Sequence, residues 1–374
     1  MGSYERKLPC GSWSQEPQGR LNQPMAFGPP SLVGGGLGSV SAVRKADAIL
    51  AGQLPWYSHH TFPVGFPPDW FYDPWCAERQ PVERKHWSRI SEFAAGDIKA
   101  VWEQGRFGFV LPLVRAFAWT GDARYVEAFW QATEDWRDKN PPQVGVHWKC
   151  GQEVALRLIA WVFGFFVFRG HAATTARRES MLAEMVEVSG RRIEAHIDYA
   201  LSQKNNHGTS EATGLFTAGL VLSNQRWIAR GCTLLDQLAN ELIYSDGAFS
   251  QHSTNYQRLM LHTYLWAIRL GEAYGCPLLS TAIEQVRRAG RWLLSLLSHE
   301  NGRVPNLGAN DGAHLFDLTD LGYLDYRPTV QAVGLVTEGG RWLPPGPWDE
   351  LAAWLGVPVD PCRRPPDSGI QNHE

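Results

Sequence analysis

Lys204-Asn205-Asn206-His207-Gly208-Thr209-Ser210-Glu211-Ala212-Thr213-Gly214-Leu215 sets three hydrogen-bonding side chains just before a segment with almost no polar surface. From Ala212 to Leu222 nearly every residue is apolar or small. A helix without a polar face is buried on all sides, so this segment predicts an inner helix of a large helical body. Asn205, Asn206 and His207 then stand at or just before its N-terminus. There, free amide N–H groups and the positive end of the helix dipole favour an anion, and a carboxylate fits the side chains offered. The plainer alternative makes Asn206 an N-cap and His207 a core residue with its polar atoms satisfied.

Helical patterning extends on both sides. Ser39 to Leu54 predicts a first helix, with Val43, Ala46, Ile49 and Leu50 on one face. Further helices are expected over Ile98–Trp119, Ala123–Lys139, Gln152–Phe168, about Thr174–Lys204, Glu211–Leu222, Gln225–Tyr244, Thr254–Tyr274 and Leu278–His299. Thr120-Gly121-Asp122 reads as a C-terminal glycine followed by an N-cap, and Asn140-Pro141-Pro142 as a stop. Strand signals are nearly absent before Gly302. The class expected is all-α, an incomplete α/α toroid built as a double layer of antiparallel helical hairpins; a solenoid would need a fixed repeat, and none is seen. Residues 1–38, rich in Gly, Pro, Ser and Gln, predict a flexible, irregular N-terminal arm, 39–345 the toroid, and 346–374 a tail with one short helix, Trp348 to Leu355. The Pro- and aromatic-rich stretch Pro55 to Glu83 is expected across the mouth of the body. The polar turn Arg303 to Gly312 is expected over one end, with Asn306, Asn310 and Asp311 available to a ligand or serving only as turn formers.

Composition narrows the partners. Thirty-five Lys+Arg against 38 Asp+Glu leave a net charge of -3, with no basic run, so no nucleic-acid partner is expected and an acidic ligand needs a local basic cluster. The six cysteines, at 10, 76, 150, 232, 276 and 362, form no CxxC pair; neither a metal site nor a disulfide framework is expected, and no cofactor. Residues 1–23 lack the apolar core of a secretory signal, and Leu156–Phe168 is too short to span a bilayer, so a cytoplasmic protein with no membrane partner is the default expectation. Most of the 17 tryptophans are expected in the core, with a subset free to stack on sugar rings.

Five groups of residues, in order along more than half of the chain, resemble the heparinase II/III-like polysaccharide lyases. They are Asp97 to Glu103 with Arg106-Phe107; His147-Trp148 with Glu153 to Arg157 and Trp161; Asn205-Asn206-His207 with Glu211-Ala212; Asp246-Gly247 with Gln251, Ser253, Asn255 and Tyr256; and Asn306-Leu307-Gly308 with Asp311-Gly312. The resemblance implies a carbon–oxygen lyase that cleaves the bond to a uronic acid by β-elimination, with an acidic polysaccharide as partner and substrate. By the same resemblance Asn206 and His207, with Asn205 as fallback for Asn206, neutralise the uronate carboxylate as an oxyanion hole would. Tyr256 matches the family's catalytic tyrosine, acting as general base, general acid or both, and His252 is a candidate neighbour one helical turn before it. Trp102, Glu103, Arg106, Trp148, Glu211, Asn255, Asn306 and Asp311 fall in the motifs and are expected to contact substrate. Lys99, Arg106, Lys149, Arg157, Lys204 and Arg258 are expected to gather around an anionic polymer. His147 stands where relatives often carry Asn. Family members usually continue into a β-sandwich that adds a catalytic histidine. Pro366 to Ile370 looks like the start of that sandwich, so truncation, impaired activity and a separate β-sandwich partner are expected here. Two other classes stay open: a non-catalytic acidic-polysaccharide-binding or assembly module, and a glycoside hydrolase on a similar toroid with two facing carboxylates drawn from Glu103, Glu153, Glu211 and Asp246.

Overall fold

The apolar segment is the body of a longer buried helix, Asn206–Val221, that starts a full turn earlier than expected. Its cap is Asn205, not Asn206, with the Asn205 side chain accepting from the His207 amide at 2.9 Å. The computed structural model describes residues 11–22, 40–80, 85–92 and 96–359. In chain order the helices are α1 (Val40–Leu50), α2 (Lys99–Gly105), α3 (Val110–Thr120), α4 (Ala123–Lys139), α5 (Gly151–Phe168), α6 (Ala176–Ser202), α7 (Asn206–Val221), α8 (Gln225–Leu242), α9 (Thr254–Ala273), α10 (Ser280–Ser295), α11 (Arg327–Thr337) and α12 (Glu350–Trp354).

Helices α3, α5, α7, α9 and α11 pack side by side as an inner row, each touching the next. The outer layer, α4, α6, α8 and α10, covers them from one side. Burial follows this order. The whole of α5 and nearly all of α7 and α9 are closed to solvent, whereas α4 buries only the face carrying Tyr125, Phe129, Ala132 and Trp136. This is the expected incomplete α/α toroid. Helix α5 is long and apolar enough to cross a membrane, yet it lies inside the body.

The inner row is closed by α12 and the strap leading into α11. Arg115 of α3 donates from Nε and Nη2 to Glu350 of α12 at 2.8 and 2.9 Å, from Nη1 to the Thr319 carbonyl at 3.2 Å, and from Nη2 to Asp320 at 3.1 Å. Behind this clasp, Phe163 of α5 meets Trp266 of α9, Phe316 of the strap and Trp354 of α12, with ring centroids 6.0 to 6.2 Å apart. Aromatic rings fill the centre at this end.

Several expectations are corrected. The single helix expected over Ile98–Trp119 is broken at Arg106–Phe109, where Phe107 takes a φ of 61°. Tertiary packing overrides helix propensity there, because the Phe107 ring stacks on Trp70 at 5.1 Å and meets Trp161 at 5.4 Å. The first helix stops at Leu50 because Gln53–Trp56 (β1) pairs antiparallel with His60–Pro63 (β2). A second small hairpin joins Tyr72–Asp73 (β3) to Glu78–Arg79 (β4). Helix α11 has no counterpart among the expected helices. Residues 11–22, expected in a flexible arm, lie on the body: Trp13 is buried against Trp148, and the Asn22 amide donates to the Val221 carbonyl. Cys10, Cys362, Pro366 to Ile370 and the rest of the expected arm and tail fall outside the described residues. Residues 346–359, expected in the tail, pack onto the body through α12.

Where α7 meets the start of α5, the Glu211 carboxyl lies against Gly151, and a β-carbon there would meet it at 2.4 Å. Burial pushes Glu211 up to about 8 from its ordinary 4.5, with Arg192 opposing. The folded chain therefore keeps a proton that the unfolded chain loses near pH 4.5, and this contribution to stability drains away as pH rises toward 8. Glu211→Gln should flatten the fall of unfolding free energy between about pH 5 and 8 by on the order of 3–5 kcal/mol, read by urea denaturation at each pH. An unchanged pH slope contradicts this. Arg115→Ala strands the Glu350 carboxylate and should cost roughly 3–5 kcal/mol by the same method, whereas a loss under about 1 kcal/mol would show that the ring closes without it.

Candidate active site

The break after α2 decides where Arg106 points. The turn carries the guanidinium across to the first turn of α5, where Nε and Nη2 meet the two Glu153 oxygens at 2.6 and 2.8 Å. Nη1 meets Glu103 at 2.5 Å. The second Glu103 oxygen accepts from the Tyr57 amide at 3.1 Å. One half-buried cation thus sits between two carboxylates, which hold it charged against the cost of desolvation. Burial, in turn, raises Glu103.

Three helices begin around this group. Asn206, the first residue of α7, joins them: its Nδ2 donates to Gln152 of α5 at 2.5 Å, and its amide N–H donates to Gln251, just before α9, at 3.2 Å. The positive ends of α5, α7 and α9 therefore face one place. His207 is part-exposed there. Burial, followed by smaller effects from Arg106 and Lys99, lowers its imidazole below the ordinary 6.5, while Glu153 and Asp311 oppose. The ring is neutral at neutral pH. The Cys150 thiol lies 3.9 Å from its Nδ1, and burial with Glu153 and Glu211 pushes that thiol up to about 12.

Tyr256 enters from the first turn of α9, which Ser253 caps. Its hydroxyl donates to Asp311 of the 306–312 loop at 2.8 Å. Burial first, and then Asp311, raise this phenol far above 10, so it stays protonated. The charges of Arg106, Glu153 and Asp311 act on both His207 and Tyr256, so the two rings share charged neighbours.

The other expected contacts divide. Trp102 is buried with its indole donating to the Val146 carbonyl, and Trp148 is buried against Trp13 and Trp136, so neither reaches a ligand; both are corrected to core residues. Glu211 and Asn255 are also closed off. Asn255 is buried, with its Oδ1 accepting from Arg258 and Tyr323 at 2.8 and 2.6 Å. Asn206 is only 2% exposed, so it ties helices together and does not line the cleft. His252 lies outside α9 at a φ of 51°, with its ring 5.7 Å from Tyr244. Asn306 is exposed and accepts from Asn310 at 2.8 Å.

The expected basic cluster is not assembled. Arg157 is buried over Trp136 and donates to the Gly105 and His147 carbonyls. Arg258 is buried between Tyr323 and Tyr326. Lys149 donates to the Ile90 carbonyl, and Arg106 is balanced by two acids, which leaves Lys99 and Lys204 exposed. His147 is likewise buried, with Nε2 2.7 Å from the Trp70 carbonyl. Tyr57, Gln152 and Cys150 were not foreseen. Gln152 opens a predicted helix and Cys150 lies two residues before it, but Tyr57 lies in an irregular stretch with nothing local to mark it.

The sequence model described as Heparinase II/III N-terminus matches residues 53–307. A heparin-sulfate lyase of Bacteroides thetaiotaomicron is 24% identical over 178 residues, which cover 45% of this chain and 24% of that protein. Among solved structures, a heparinase III is 20% identical with a TM-score of 0.50 over 75% of this chain and 42% of its own. A heparan sulfate lyase from Pedobacter heparinus is 18% identical with a TM-score of 0.51, over 72% of this chain and 40% of its own. The chain thus spans about a quarter of the curated relative and about two fifths of the solved ones. At these identities the structural likeness speaks for the fold. The family match covers more than half of the chain, and the chain belongs to the heparinase II/III N-terminus family.

Proposed function

We propose that this chain acts on a uronic-acid-containing polysaccharide by β-elimination, with His207 and Tyr256 as the proton-transfer pair. The observation that carries this is the hydrogen bond from the Tyr256 hydroxyl to Asp311, whose charge, with those of Arg106 and Glu153, also acts on His207. In β-elimination the C5 proton leaves beside a carboxylate, a double bond forms between C4 and C5, and the glycosidic oxygen departs with a proton. Neutral His207 accepts the first proton, and Tyr256 supplies the second, with Asp311 orienting its hydroxyl. The uronate carboxylate lies toward the first turn of α7, where converging helix N-termini favour the charge that builds up in the enolate-like intermediate. Asn206 acts as a positioning residue through Gln152 and Gln251. The hydrolase alternative needs an acid and a base facing each other across the bond, yet Glu103 and Glu153 are both bound to one guanidinium.

The assay is formation of the ultraviolet-absorbing unsaturated uronate, which elimination leaves and hydrolysis does not. Tyr256→Phe should lower turnover by roughly a hundred- to ten-thousandfold while polymer binding persists. New reducing ends without the unsaturated product overturn the lyase proposal, and binding with no product of either kind supports a non-catalytic module. His207 must be unprotonated to accept a proton, so activity should hold at neutral pH and fall on acidification with a midpoint below 6.5. The raised Tyr256 phenol adds no alkaline loss below about pH 10. An acid limb centred above 6.5 contradicts the assignment.

A further inference from the structure

Trp75 is 49% exposed, while most of the large aromatic side chains in the body are buried. It stands at the tip of the β3–β4 hairpin, and the tip is held in shape. Buried Asp73 accepts from the Trp75 amide at 2.8 Å and from the Cys76 thiol at 2.9 Å, and Ala77 turns the chain at a φ of 55°. The indole is braced from the neighbouring hairpin. His60 and Phe62 of β2 meet it edge-on, with centroids 4.6 and 5.1 Å away, and Tyr57 lies nearly parallel at 6.3 Å. These contacts fix the ring and leave about half of the residue to solvent.

Tyr57 links this aromatic group to the active site. Its amide is held by Glu103, and its phenol feels Glu103, Arg106 and Glu153. Its carbonyl is covered by Gly312 of the loop that carries Asp311; with a φ of 76°, a β-carbon at Gly312 would meet that carbonyl at 2.1 Å. Through Tyr57 the exposed indole is thus joined to the Glu103–Arg106–Glu153 group and to the loop of Asp311.

We propose that Trp75 is a stacking platform for a pyranose ring of the polymer, outside the sugar that undergoes elimination; this rests on the polysaccharide-lyase proposal above. An indole face is electron-rich and apolar, so it suits the C–H face of a sugar and binds without a charge. That property matters beside Glu103, Glu153 and Asp311, because arginines near the cleft are already bonded to acids or carbonyls. A polymer bearing carboxylates gains grip there from an uncharged surface. One braced indole is far smaller than the roughly 800 Å² per partner that a stable protein interface buries, so the occupant is a sugar and not a protein.

The test titrates the full chain with heparan sulfate oligosaccharides from disaccharide to decasaccharide, and in parallel with a neutral glucan series, by calorimetry. Binding is also read from the 19F resonance of Trp75 in fluorotryptophan-labelled protein. Trp75→Ala should weaken the decasaccharide roughly tenfold, as loss of an aromatic anchor does, with a smaller loss at the disaccharide. Trp75→Phe should restore most of the affinity, and the Trp75 resonance should move only with the longer chains. Equal affinity of wild type and Trp75→Ala at every length, with a static resonance, overturns the platform and leaves the lyase proposal standing. A Trp75-dependent loss seen only with the glucan keeps the platform and removes the uronate proposal. No binding of either series overturns both.

Discussion

The bidentate ion pair between Arg106 and Glu153, shared with Glu103, is the constraint on which the site depends. It joins the end of α2 to the start of α5 across a turn that Phe107 holds by packing between Trp70 and Trp161. Burying charges is costly, and breaking such a pair costs more than the pair contributes, because the partner is left stranded. Here the group reaches further than its own contacts. Glu103 fixes Tyr57, and the same guanidinium biases both His207 and Tyr256. Packing of aromatic residues thus sets the place of a charge, and that charge acts on the two groups proposed to transfer protons.

The proposed site departs from the intuition that an anionic polymer needs a basic groove. Arginines near it are stacked on aromatic rings, bonded to carbonyls or paired with acids, and Lys99 is the exposed cation that acts on His207. Positive potential comes instead from the backbone, because α5, α7 and α9 all start at this end and Asn206 ties Gln152 of α5 to Gln251, just before α9. Such potential is fixed in direction and needs no flexible side chain. It suits recognition of one carboxylate more than attraction of a whole chain.

Much of the architecture was legible. The all-round apolar composition of α5 and α7 and the glycine and cap at Gly121-Asp122 follow from local chemistry, and they place the inner layer and its turns. The break at Phe107 was not legible, because its cause lies in Trp70 and Trp161, far away in sequence. Motif membership also misled at Trp102 and Trp148, since adjacency along the chain does not say which way a side chain turns on a buried helix. Asn206 illustrates the same limit: its position at the helix start is right, but its amide is taken up by Gln152. Tyr57 carried no local signal at all, because its place depends on a hairpin docking against α2.

The most direct test of the central claim is a crystal structure of Tyr256→Phe with a uronate oligosaccharide bound. The account predicts the uronate C5 within about 3–3.5 Å of the His207 imidazole, with the glycosidic oxygen on the side of Phe at position 256 and the carboxylate toward the first turn of α7. An oligosaccharide bound away from this end of the inner helices, or with C5 turned away from His207, would contradict it.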